Sequence, residues 1–237
     1  NVDDISVVSN NETTAVTAKY VYPASNSTWQ VTYTIYNDGT IRVDNTFDAS
    51  QSETELIPRI GMRMQLPGSV VNAEYYGRGP WGNYSDRKTS TFVDRYQSPI
   101  SEMVTKYVTP QENDHHTDTK WLALTQKSGR GLLFVADDKF EFNASNYLLE
   151  TISNGETLNN DAPVGTAPFN KHINAHKPSQ LVDLFIDHSM QGVGGNNSWG
   201  RLPMDDYLVK PANTPITYSF TIIPINKTSD INRHFGK

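Results

Sequence analysis

The sequence predicts an all-β chain, a large two-sheet antiparallel sandwich, and three observations carry that prediction. Short runs of alternating bulky and polar residues recur along the chain, Gly, Pro, Asn and Asp separate them, and a pattern without period-two alternation appears over no more than a turn or two. At 237 residues the chain fits the ~200–250 residues that one β-sandwich or barrel reaches, so residues 1–237 read as a single domain. Aromatic residues make up 11%, with 12 Tyr and 4 Trp, enough bulky apolar surface for a core of that size.

The clearest element is a hairpin. Trp29 to Tyr36 alternates, Asn37-Asp38-Gly39 supplies turn chemistry, and Thr40 to Phe47 alternates again. Further strand-like runs follow at Ile60 to Leu66, Trp121 to Thr125, Gly131 to Ala136, Leu181 to His188 and Thr217 to Ile223. Ser145 to Thr151 lacks the alternation and reads as a turn or two of helix. Ser153 to Lys177 holds Gly, Pro, Asn and His with few large apolar residues, the composition of a long surface loop or irregular excursion. No repeat of 20–50 residues is present, which removes propellers and solenoids.

A formal charge of −6 and a pI near 5.5, with no run of Lys or Arg, argue against nucleic acid as a partner. The absence of Cys excludes disulfides, thiolate metal sites and thiol nucleophiles, and leaves the redox compartment open. No stretch approaches the ~20 apolar residues of a membrane span and no charged-then-apolar leader opens the chain, so no membrane partner is expected. Asn-x-Ser/Thr triplets begin at Asn11, Asn26, Asn83, Asn143, Asn196 and Asn226, a number that a polar, Asn- and Thr-rich β chain produces by chance.

Three turn-rich segments concentrate polar and aromatic residues: Tyr75 to Arg87, Thr109 to Trp121, and Asp187 to Gly200. The Gly and Pro density of the first implies a tight loop that presents Trp81, Tyr84 and Asp86, or a packed connector. Its Gly77-Arg78-Gly79 leads into Pro and Trp rather than a helix start, so it offers no phosphate cradle. The second gathers Glu112, Asn113, Asp114, His115, His116 and Asp118. These groups suit hydrogen bonds to sugar hydroxyls, metal ligation, or a solvated turn, and in a strand His115 and His116 point to opposite faces, so one metal ion cannot easily take both. The third delivers Trp199 on a Gly-rich turn beside Asn196, Asn197 and Ser198. An exposed indole next to amides suits a sugar, whose C–H face stacks on the ring while its hydroxyls seek polar partners; a buried core Trp is the alternative. No Gly-x-Ser-x-Gly elbow, no His-Glu-x-x-His and no Cys is present, so no catalytic set is assigned.

Four motifs in order then resemble one family. Arg59-Ile-Gly-Met is similar to an Arg-Ile-Gly strand, and Tyr76-Gly-Arg-Gly-Pro-Trp-Gly-Asn-Tyr-Ser-Asp-Arg87 to a Gly-x-Gly-Pro-x-Glu-Asn-Tyr-x-Asp-Arg loop. Asp94-Arg95 precedes Tyr107-Val-x-Pro-Gln-Glu-Asn113, and Asp187 leads into Gly192-Val-Gly-Gly-Asn-Asn-Ser-Trp199, similar to Gly-Gly-Asp-Asp-Ser-Trp. Together they resemble the C-terminal, small-chain domain of family 2 β-galactosidases over most of residues 30–225. The resemblance implies a galactose mutarotase-like supersandwich and a place as the C-terminal domain of a larger enzyme that hydrolyses β-galactosides such as lactose.

It further implies that the catalytic Glu residues lie on a (β/α)8 barrel outside this chain, which alone is expected to be inert. It implies Trp199 at the mouth of the galactoside site, with Asn197, Glu112, Asn113, His115, His116 and Asp118 as the accompanying substrate-binding candidates. The expected partners are a barrel domain or large subunit and further copies in a homo-oligomer. A divalent or sodium ion would serve the full enzyme, with no metal ligand assigned here, in the periplasm or cytoplasm of a bacterium. Three departures stand out: Gly82 in place of Glu, Asn196-Asn197 in place of an Asp pair, and Asp114-His115-His116 in place of a segment that is commonly Gly-Asn-Arg.

Overall fold

The computed structural model describes residues 1–107, 112–149, 178–195, 197 and 199–235. Among the described residues eleven antiparallel strands form one continuous hydrogen-bonded sheet: β1 (Val2–Ser9), β2 (Thr13–Tyr22), β3 (Ser27–Tyr36), β4 (Ile41–Asp48), β5 (Arg59–Pro67), β6 (Val70–Gly79), β7 (Phe92–Pro99), β8 (His116–Gln126), β9 (Gly131–Ser145), β10 (Leu181–Met190) and β11 (Ile216–Ile225). The order is β1-β2-β3-β4-β11-β9-β8-β6-β7, with β10 and β5 branching from β9.

The predicted hairpin is β3–β4, paired from Ile35 opposite Ile41 to Trp29 opposite Phe47. Its turn needs Gly39, whose φ is +85°, and Asp38 Oδ1 accepts the Thr40 N–H at 2.8 Å. Each predicted strand run is present; β4 is shifted by one residue from the predicted Thr40 to Phe47, and the others extend beyond the alternation that marked them. The helical expectation at Ser145 to Thr151 is corrected at its start, because β9 extends to Ser145. Its last two residues, and all of Ser153 to Lys177, fall outside the described residues.

The branch at β9 makes the sandwich. Gly131 to Ala136 pair with β11, and Glu141 to Ser145 pair with β10. Between them, at 137–139, the pairing with β8 is irregular and the chain is exposed. One long strand therefore serves both layers. Val31, Val43 and Phe220 from the β2–β3–β4–β11 side meet Leu184, Ile186 and Phe142 in a single buried cluster, each burial contributing about 1.5–3 kcal/mol.

The period of two along β5, β10 and β9 sets up the opposite face. Val182, Leu184 and Ile186 point into the core, so Asp183, Phe185 and Asp187 point away from it. Arg59, Gly61 and Arg63 of β5 and Glu141, Asn143 and Ser145 of β9 share that outer face through the register Asp187 opposite Gly61 and Asp187 opposite Glu141. A polar floor is thus built by strand alternation alone.

Candidate functional site

The three turn-rich segments converge at one end of this polar face. Asn83 joins the first to the second: fully buried, it donates its backbone N–H to the His115 carbonyl at 2.6 Å. Its Oδ1 accepts the Thr117 N–H and hydroxyl at 3.0 and 2.6 Å, and its Nδ2 donates to the Arg78 and Trp81 carbonyls. The sequon at Asn83 is therefore a structural hub. Tyr84 follows, buried and stacked on the His115 ring at 5.5 Å. Arg87 lies over the Tyr84 ring at 5.0 Å and donates to the Tyr107 hydroxyl at 3.1 Å.

Asp86 joins the first segment to the third. Its Oδ1 and Oδ2 accept the Val193 and Gly194 N–H groups at 3.0 and 2.8 Å. Gly192 makes room for that carboxylate, since a Cβ there would lie 2.5 Å from Asp86 Oδ2. Beyond it the turn uses Gly200 at φ +73° with open space around it, so conformation rather than crowding requires glycine at that position. Asn197 Oδ1 accepts the Trp199 N–H at 2.9 Å, and Trp199 stands 91% exposed. The buried-core alternative for Trp199 is excluded.

These segments enclose a cleft of about 580 Å³, lined among others by Tyr84, Arg87, Tyr107, Glu112, Asn197 and Arg201. Under its Glu112 edge lies a buried charge network. Glu112 Oε1 accepts from Arg59 Nη2 at 3.3 Å and Asn143 Nδ2 at 3.4 Å. Arg59 also donates to Asn143 Oδ1 at 2.8 Å, lies over Phe185 at 4.4 Å, and faces Asp187 Oδ2 through Nε at 3.2 Å. His115 meets Asn143 Oδ1 at 2.8 Å through Nδ1 and Glu141 Oε2 at 3.0 Å through Nε2. Glu141 Oε2 accepts the Met190 N–H at 2.9 Å as well, which fixes the strand end from which the Trp199 segment departs.

Two acceptors facing both nitrogens suit a doubly protonated His115 ring. Burial pulls its pKa down, but the Glu141 hydrogen bond and the Glu141 and Asp187 charges outweigh burial and leave it raised. Burial pushes the Asp187 carboxyl up to about 7 against the pull of Arg59 and His115. Burial likewise pushes the Tyr84 phenol up and His188 down.

Of the predicted site residues, Glu112 and Asn197 line the cleft, and Trp199 stands beside Asn197. His115 lies beneath, with no exposed surface. Asn113 is committed to Thr105, accepting its N–H at 2.6 Å and donating to its carbonyl at 2.5 Å. His116, 1% exposed, stacks on Phe142 at 4.9 Å and faces Asp114 at 3.4 Å, on a different side of the strand from His115. Asp118 sits among Arg78, Lys88 and Lys139 at 2.8, 3.0 and 3.1 Å; although burial opposes it, these cations hold its carboxyl well below the usual range.

Among the described residues no group of three or more His, Asp or Glu side chains is arranged to hold a metal ion. Sequence reasoning missed Glu141 and Asn143. Their signal was the alternation Lys139-Phe-Glu-Phe-Asn143, whose polar half faces the network.

Two of the departures from the family motifs meet at one contact. A Cβ at Gly82 would lie 2.8 Å from the Asp114 Cα, and Asp114 itself has φ +55°. A larger residue at 82 requires the 114–116 segment to move, so the two changes are sterically coupled.

With this geometry in place, comparison with known proteins gives a consistent result. The β-galactosidase of Priestia megaterium is 32% identical over 195 residues, 82% of this chain and 17% of that protein. That of Psychromonas ingrahamii is 33% identical over 183 residues, 77% and 15% respectively, and that of Streptococcus thermophilus 26% over 227 residues, 95% and 20%. The chain thus spans a fifth or less of the length of these relatives. Among solved structures, a putative aldose 1-epimerase from Escherichia coli aligns over 94% of this chain and 69% of that one, at 8% identity and a TM-score of 0.44. Residues 1–222 match the family described as "Beta galactosidase small chain", and the chain belongs to that family.

Proposed function

We propose that the chain is the C-terminal β-sandwich domain of a β-galactosidase acting on terminal β-D-galactose residues, as in lactose, and that it completes the substrate site of a catalytic barrel lying outside these residues. The observation that carries this reading is Trp199, 91% exposed on a turn fixed by Asn197 and Asp86 beside the cleft that holds Glu112. An indole held open to solvent on a braced turn is a stacking platform for the C–H face of a pyranose.

In this reading Trp199 stacks on the sugar, while Asn197 and Glu112 take its hydroxyls. Arg59 and Asn143 hold Glu112 Oε1, which leaves Oε2 for the sugar. His115, Asn113, His116 and Asp118 act behind this surface by holding the 112–118 segment against the Asn83 loop. The substrate, the barrel and any homo-oligomer belong to the whole enzyme.

The test is hydrolysis of a chromogenic β-galactoside by this chain alone and by the chain mixed with the barrel-containing remainder. Activity in the mixture and none from the chain alone is expected. Turnover by the chain alone would place the catalytic groups within these 237 residues and overturn the reading.

A further inference from the structure

A second pocket, of about 330 Å³, opens between the β2–β3 turn and the segment that links β4 to β5. We infer that it is a separate binding site for a neutral pyranose sugar. Its size lies at the lower end of the ~300–1,000 Å³ of small-molecule sites, room for about one sugar ring. Its lining pairs aromatic surface from Tyr22, Trp29 and Phe47 with the hydroxyl residues Ser27, Ser52 and Thr54, the combination that a pyranose requires of a site.

The aromatic wall is fixed. Trp29 and Phe47 pack at 5.4 Å between centroids, and the Trp29 indole N–H donates to Asn45 Oδ1 at 3.1 Å. Asn45 lies behind that wall, 2% exposed and outside the pocket lining, so its part is to hold the indole in place. Tyr22, 43% exposed, supplies a ring face at the mouth.

The rim is braced across the pocket by Asn26 Nδ2, which donates to the Gln51 carbonyl at 2.8 Å. The Ser52 hydroxyl accepts the Thr54 N–H at 3.2 Å. Such bracing lowers the ordering cost of binding. The charge balance selects a neutral ligand. Arg59 is the one charged residue among the described residues of the lining, and its guanidinium is committed to Glu112, Asn143 and Asp187. Glu53 and Glu55 lie in the same segment and disfavour an anion.

This pocket and the Trp199 cleft share Pro58 as a wall, whose carbonyl accepts the Gln191 N–H at 3.0 Å. The two sites stand back to back and are separable by experiment. The chain has four Trp residues, Trp29, Trp81, Trp121 and Trp199, so its four indole N–H resonances report one on each side of that wall and two elsewhere.

The ¹⁵N-labelled chain is titrated with lactose and, separately, with methyl β-D-glucopyranoside. The expected result is a saturating shift of the Trp29 indole with at least one of the two sugars. It persists in Trp199→Ala, weakens about tenfold in Tyr22→Ala, and disappears in Thr54→Phe, with the Trp121 resonance unmoved as a report of the fold. A Trp29 indole that stays still, drifts without saturating, or shifts equally in Tyr22→Ala and Thr54→Phe overturns the site. Movement of Trp199 alone would support the cleft and overturn this second pocket, so the two readings fail separately.

Discussion

Asp187 Oδ1 occupies the space that a side chain at Gly61 would take: a Cβ on Gly61 would fall 1.7 Å from that oxygen and 2.9 Å from the Asp187 Cα. The two residues face each other across β5 and β10, and the missing side chain lets a buried carboxylate lie against the backbone beside Arg59. Gly61→Ala is therefore expected to destabilise the chain by about 2 kcal/mol or more, since it overpacks the pair and pushes a buried carboxyl group out of its place beside Arg59. Urea denaturation checks this. A change within about 0.5 kcal/mol would show that the carboxylate relocates freely.

The same carboxylate predicts a pH dependence. Its folded pKa of about 7 stands above the reference value of 3.8, so the folded chain binds this proton more tightly than the unfolded one. The stabilisation is complete below about pH 4 and is lost as pH rises through 7, by at most about 4 kcal/mol from a shift of about 3 units. His115, also raised, acts in the same direction above about pH 6.5. His188, lowered, opposes them, while Arg59, Glu112, Glu141 and Tyr218 complete the charged and titratable surroundings of Asp187. The urea midpoint of Asp187→Asn is expected to fall less between pH 4 and 7 than that of the unmodified chain. Parallel profiles would remove Asp187 as the source.

Asp86 predicts a different separation of effects. Asp86→Ala removes the acceptor of the Val193 and Gly194 N–H groups at a partly exposed site and is expected to cost about 1–2 kcal/mol. Activity of the reconstituted enzyme is expected to fall about tenfold, chiefly through KM, because the Trp199 turn loses its brace. Asp86→Asn keeps one acceptor oxygen and restores part of both. Unchanged KM with the same loss of stability would reduce Asp86 to a structural role.

Much of the fold was legible because alternation reports burial on one face. The β3–β4 hairpin carried both signals, period two and a turn that only Gly39 fits. β1 left no such signal, since every one of its residues is exposed, and β6 was obscured because Ala73, Glu74 and Tyr75 are buried in succession. The site was legible as three segments but not as a geometry. Trp199 is exposed, as one of its two sequence readings expected, whereas the polar density of 112–118 divides in space: Glu112 faces the cleft, His115 and His116 are interior, and Asp118 serves a cluster of cations. Glu141 completes the network from 26 residues beyond His115, a partnership made by strand pairing that no local spacing encodes.

The central claim is that Trp199 serves the substrate and not the fold, and kinetics of Trp199→Ala in the reconstituted enzyme test it most directly. At 91% exposure the substitution is expected to leave stability within about 0.5 kcal/mol and to lower kcat/KM for a β-galactoside by about tenfold or more, with the larger share in KM. An unchanged kcat/KM in a mixture that is otherwise active would contradict the account and leave the exposed indole without a role in the galactoside site.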